Sequence, residues 1–157
     1  MIDSHKDETE ELSRTTALGL FNVADSYWRA ARYLLAGKLK TTHPISPVSF
    51  LFYHAIELYL KAFLRHHGCK PEELRSKKFG HKTCHLSERA SHLGLYFNDG
   101  DKEVLSMMAT TDAVIRSRYI QTGYYQWPSP GALDRTCKSL RQSIGEALRK
   151  DGVVVRL

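Results

Sequence analysis

Four side chains spaced by three, four and four residues, His54, Glu57, Lys61 and Arg65, stand in the most apolar stretch of the chain. On a helix that spacing places them in one stripe. A carboxylate, an imidazole and two cations in such a stripe have the types needed to hold an anion or to move a proton. The plain alternative is the one wet face of a greasy helix, with Glu57 and Lys61 an ordinary i, i+4 pair. A second group closes a later helix: Asp112, Arg116, Arg118 and Tyr119. Asp112 and Arg116 are i, i+4 partners, which leaves Arg118 to meet something anionic. Tyr124, Tyr125 and Trp127 follow, rings that stack on bases or cap the end of a bundle.

Other chemistries fall away on spacing. His66, His67, Cys69, His81, Cys84 and His85 invite zinc, yet their spacings, His67-x-Cys69 and His81-xx-Cys84-His85, contain no CxxC pair, so no metal and no cofactor is expected. No Gly-rich loop follows a strand, and no nucleophile elbow surrounds a serine or cysteine. Three cysteines without repeated spacing suit a reducing cytoplasm. The run Pro47 to Leu64 is broken by His54, Glu57 and Lys61, too short and too polar for a membrane span. The N-terminus is acidic where a secretory signal would be basic and then apolar.

The 157 residues, 42% hydrophobic and 25% charged, describe one globular domain able to bury its own core. The 23 bases and 17 acids give a net charge of +6, but five of the acids and one base fall in residues 1–11, so the body carries +10. Between Lys61 and Arg89 lie eight bases, three acids and four histidines, enough to attract phosphate if they share a face.

The elements that must position these groups read as helices with almost no strand signal. Ala17, Leu20, Phe21, Ala24, Trp28 and Ala31 line one face of a first helix over 12–36, with Gly37 as its stop. TTHPISP connects it to a second helix from about Pro47 to His67, apolar nearly all round and therefore central. A basic loop with one short turn after Pro71 leads to a third helix, capped by Thr83 and ending near Leu95. FNDGD offers Asp99 or Asp101 as N-cap for a fourth helix, Lys102 to Tyr119. Ser129 and Pro130 open a fifth, with a stripe of Leu133, Cys137, Leu140, Ile144 and Leu148, and a tail over 151–157 packs on the body or pairs with a partner. The expected fold is all-α, an up-and-down antiparallel bundle of four to five helices over 12–150, behind a flexible acidic stretch over 1–11.

In that order, FYHAIELYLKAFLRHHG, FGHKTCHLSERASHLGL and TDAVIRSRY resemble the HEPN domain family, small helical bundles of bacteria and archaea. The family's helix of type A-x-E-L-x-L-K-A, its G-H-x-x-x-x-L-x-x-x-A-x-x-x-G-L segment and its helix ending in R-Y match Glu57, Lys61, Gly80, His81, Leu86, Ala90, Gly94, Leu95, Arg118 and Tyr119. The similarity spans roughly Leu12 to Leu148. It implies a prokaryotic cytoplasmic homodimer in a toxin-antitoxin or defence system, with a nucleotidyltransferase-type antitoxin as a protein partner. Many members are metal-independent endoribonucleases whose R-x(4-6)-H motif holds the scissile phosphate with Arg and moves protons with His.

This chain departs from that pattern: IRSRYIQTGYYQW has no histidine after Arg116 or Arg118. A formal match, Arg75 to His81, sits instead before the third helix. The expectation is therefore a non-catalytic module for RNA or a nucleotide, its anion surface built from Glu57, Lys61, Arg116, Arg118 and Tyr119. If the chain cleaves RNA, His81 with Arg75 or Arg118 would carry the reaction. A bare dimerisation scaffold would instead leave the polar stripe fully solvated and no pocket beside it. Phe50, Phe52 and the segment from Tyr124 to Trp127 are the apolar groups available for a dimer seam.

Overall fold

A computed structural model describes residues 14–120 and 122–157. The acidic stretch over 1–11 lies outside the described residues. Seven helices account for the regular structure, and no strand occurs among the described residues.

Helix α1 (Ala17–Gly37) starts where the Thr16 side chain accepts from the Gly19 N–H at 2.9 Å. It buries Phe21, Ala24, Trp28 and Ala31, one per turn. Helix α2 (Ile45–His66) begins two residues before the expected Pro47, because Pro44 and Pro47 are both tolerated in a first turn that lacks partners for its N–H groups anyway. It is the axis of the fold, burying Phe52, Ile56, Tyr59, Leu60 and Leu64 among others, and it packs most heavily against α1 and the C-terminal helix. Burying a Leu or Phe of this kind contributes roughly 1.5–3 kcal/mol each.

Short helix α3 (Pro71–Arg75) leads into α4 (Thr83–His92), where Thr83 is the first helical residue and Lys82 occupies the cap. The expected fourth helix is two. Helix α5 (Asp99–Thr111) is capped by Asn98, not by Asp99 or Asp101, and Asp101 returns the bond in a reciprocal capping box. It stops where Asp112 enters the left-handed region at φ 49°, and α6 (Ala113–Arg116) restarts beyond it. Thr110 and Thr111 each turn their hydroxyls back onto carbonyls four residues earlier, which weakens the helix just before the break. Helix α7 (Pro130–Lys150) is capped by Ser129 as its sequence indicates.

Tertiary bonds fix the directions. Arg65 Nε donates to the Thr15 carbonyl at 3.0 Å, joining the end of α2 to the start of α1, so these two are antiparallel. Asp25 binds Arg141, and Trp28 Nε1 donates to Asp134 at 2.7 Å, so α7 also runs against α1 and along α2. Desolvation pushes the Asp25 carboxyl up, but the Arg29 and Arg141 guanidiniums more than offset it and hold it below its ordinary value. The tail packs on α7: Arg149 binds the Val155 carbonyl, Arg141 binds that of Arg156, and Val155 is buried.

The capping box gives a sharp contrast between two neighbouring acids. Asp101 is buried and accepts from the Asn98 N–H at 3.3 Å and from Ser139 Oγ at 2.8 Å, whereas Asp99 is exposed. Asp101→Ala is expected to lower unfolding free energy by roughly 2 kcal/mol in urea titration, and Asp99→Ala by less than about 0.5 kcal/mol.

Candidate functional site

The polar stripe of α2 is not a wet face. Glu57 is 1% exposed, at the centre of the bundle. A bare carboxylate there would be costly, and two neighbours neutralise it. Lys61, one turn on, places Nζ 2.5 Å from Oε1, and its side chain is only 12% exposed. His81, delivered by the loop before α4, places Nδ1 3.1 Å from both carboxylate oxygens. That contact puts the His81 proton on Nδ1, as a donor to the carboxylate. Gly80, at φ 35°, turns the chain so that His81 can reach across.

His54, one turn before Glu57, completes the group. Its ring meets Tyr27 edge-on with centroids 4.5 Å apart and lies parallel to Phe50 at 6.2 Å. Its Nδ1 is buried with no hydrogen-bond partner, the one such side-chain nitrogen or oxygen among the described residues. An orphaned acceptor costs less than a charged orphan, so burial pushes the imidazole pKa down and keeps it neutral. Glu57, Lys61, Arg118 and His81 all lie near enough to act on its charge. Arg118 therefore shares this side of α2, and its guanidinium lies 6.0 Å from the Phe50 ring centre.

Residues 117–120, together with Trp127 and Pro128, face the first turns of α2 across a cleft of about 550 Å³. Arg118, Tyr119, Tyr53 and Trp127 all line it. Trp127 is fixed by Tyr53 at 6.1 Å and by Tyr125 at 6.3 Å between centroids. The Arg116 guanidinium sits 5.0 Å over the Tyr125 ring.

The structure thus brings Glu57, Lys61, His81 and Arg118 together and adds His54, whose place in the stripe was visible but whose orphaned nitrogen was not. Lys61 is committed to Glu57, so the pair cancels and Arg118 supplies the net charge of the group. Arg65 leaves the stripe to bind Thr15. Arg75 is exposed at the end of α3, and no hydrogen bond or ion pair among the described residues ties it to His81. Phe52 is fully buried and so offers no dimer seam, Phe50 is half-buried, and Ile45, Tyr119, Ile120, Tyr124 and Tyr125 are exposed apolar groups nearby. Among the described residues no three His, Cys, Asp or Glu side chains are placed to hold a metal.

The fold and site define an all-helical bundle in which a buried glutamate, paired with Lys61 and a half-exposed His81, lies on the same helix as an arginine-bearing cleft. No protein-family model, curated protein or solved structure matches the chain. No helix among the described residues is long and apolar enough to cross a membrane.

Lys61→Met leaves the Glu57 charge buried with His81 alone and is expected to cost about 3 kcal/mol or more in urea unfolding. The double variant Glu57→Met with Lys61→Met should recover much of that loss, since it removes both charges at similar volume.

His54 sets a pH dependence. Its folded pKa lies below the unfolded value of 6.5, so the unfolded chain binds the extra proton first and stability falls as pH drops below about 6.5. His54→Phe should flatten that part of the curve, read from urea midpoints between about pH 7.5 and 5.5.

Proposed function

We propose that the chain is a HEPN-like module that binds RNA or a nucleotide without cleaving it, as a cytoplasmic homodimer in a toxin-antitoxin or defence system with a nucleotidyltransferase-type antitoxin as partner. The observation that supports the binding reading is Arg118. Among the described residues no carboxylate pairs with it, and it lines a cleft that also holds aromatic rings, while the nearest cation of the stripe, Lys61, is taken up by Glu57. A planar cation beside stacking surfaces suits a phosphate joined to a base. Glu57 is buried, the rest of the stripe is half-buried, and a pocket opens on the first turns of the same helix, unlike the fully solvated stripe that a bare scaffold expects. The exposed Tyr119, Ile120 and Tyr124 supply an apolar surface for self-association.

One observation favours a second reading, a metal-independent endoribonuclease. His54 and His81 stand near one another and near Arg118, so proton-transfer groups and a phosphate cation share one neighbourhood.

Short RNA incubated with the protein in EDTA separates these. Binding should weaken steeply between about 50 and 200 mM salt, and Arg118→Ala should weaken it about tenfold at low salt, both read by fluorescence anisotropy. Failure to retain RNA even at low salt would refute the binding reading. Cleavage that disappears in both His81→Ala and Arg118→Ala, at matched thermal stability, would replace it with the nuclease.

A further inference from the structure

Resting on the binding reading above, we infer that the cleft between the first turns of α2 and residues 117–120, Trp127 and Pro128 is a nucleobase site, with Trp127 as its stacking wall and Arg118 holding the attached phosphate. The ligand chemistry is a nucleoside phosphate, either free or as one unit of a single-stranded RNA.

Size fits first. A cleft of about 550 Å³ is ample for one nucleotide and within the usual range for small-ligand sites. Its apolar walls are Trp127, Tyr53, Ile45 and Ile120, two of them rings. Its polar groups include Ser46 and Ser49 on the first turns of α2 and Ser117, whose hydroxyl donates to the Val114 carbonyl at 3.4 Å. Burial pushes the Tyr53 phenol well above its ordinary pKa, so it stays protonated. A lining that mixes neutral hydroxyls with aromatic rings matches a heterocycle better than an aliphatic chain, which would leave hydroxyls unpaired.

Charge fixes the orientation. Among the described residues Arg118 is the only Lys or Arg lining the cleft, and no acid lines it. The first turn of α2 contains no acid and receives no side-chain cap, so nothing there opposes an anion. The smaller cavity on the other side of Trp127, about 350 Å³, is lined by Asp101 and Glu103 against Arg135 alone, the wrong sign for a phosphate. Trp127 borders both cavities, and only one of them suits a nucleotide.

The test uses an accident of composition. The chain has two tryptophans. Trp28 is buried and its Nε1 is bonded to Asp134, so a ligand-induced change in tryptophan emission reports on Trp127. The full chain is titrated with adenosine 5′-monophosphate, ribose 5-phosphate and a hexa-adenylate RNA. The nucleotide or the RNA should quench emission and bind about tenfold tighter than ribose 5-phosphate, the increment expected of one stacked base. Quenching by adenosine monophosphate identifies the free nucleotide as a sufficient ligand, and quenching by the RNA alone identifies a strand unit. Trp127→Leu, which loses the reporter and is therefore titrated by calorimetry alongside the wild-type chain, should abolish the advantage over ribose 5-phosphate while leaving the Arg118-dependent part. Equal affinity for ribose 5-phosphate and both base-bearing ligands, which the wild-type chain reports without any variant, would overturn the assignment. So would an advantage that survives intact in a folded Trp127→Leu. RNA binding that depends on Arg118 but does not perturb Trp127 overturns the base site alone; no salt-sensitive binding of any of the three overturns the reading beneath it as well.

Discussion

A carboxylate buried at the centre of a helical bundle constrains everything around it. Glu57 has almost no contact with solvent, and its charge is tolerable only because Lys61 and His81 meet it within hydrogen-bond distance. Lys61 comes free with the helix, since i, i+4 places it one turn away. His81 does not. It requires the chain to leave α2, make the short helix α3, and return through a left-handed Gly80 to the middle of the rod it left. The path of the basic loop is therefore fixed at one end by Pro71 and at the other by a bond to a buried acid. The loop's other bases, Lys77, Lys78 and Lys82, stay exposed on the return.

A second polar cluster holds the opposite flank of α2. Asp25 on α1 binds Arg29 and Arg141, and Tyr59 Oη reaches the same carboxylate at 3.4 Å. Trp28 lies among Arg29, Arg32 and Arg141 with its N–H on Asp134. These contacts join α1, α2 and α7, and half-burial gives them more weight than surface pairs. One cluster thus locks the three long helices, while the other gathers side chains near a cleft. Only the second leaves a cation beside open space, and that asymmetry is the physical basis for assigning ligand binding to the Arg118 side.

Much of the fold was legible in one dimension. The 3.6-residue stripes of α1 and α7 and the all-round apolarity of α2 assigned helix type and the central position of α2, because burial imposes those periods. Ser129 with Pro130 marked the start of α7 by local hydrogen-bond chemistry alone. The break at Asp112 was not legible. A left-handed Asp and two threonines that bond back to the helix are individually weak signals, and the apolar spacing runs on through them. Asn98 was passed over as a cap because three adjacent residues share the same capping chemistry, and only the partner Ser139 on α7 distinguishes Asp101 as the buried one.

The candidate site divides in the same way. Residue type and the i, i+4 rule determined that Glu57 pairs with Lys61 and that Arg118 follows a helix end. Whether that pair was solvated or buried depended on what packs over it, which is a property of α1, α4 and the returning loop together. The sequence likewise determined that His81, His54 and Arg118 exist on three separate segments, but their meeting, the orphaned nitrogen of His54 and the cleft walled by Trp127 arise only from tertiary packing. Short-range chemistry is written in spacing along the chain; desolvation and cavity shape depend on surfaces far apart in sequence, and those were decided by the folded bundle.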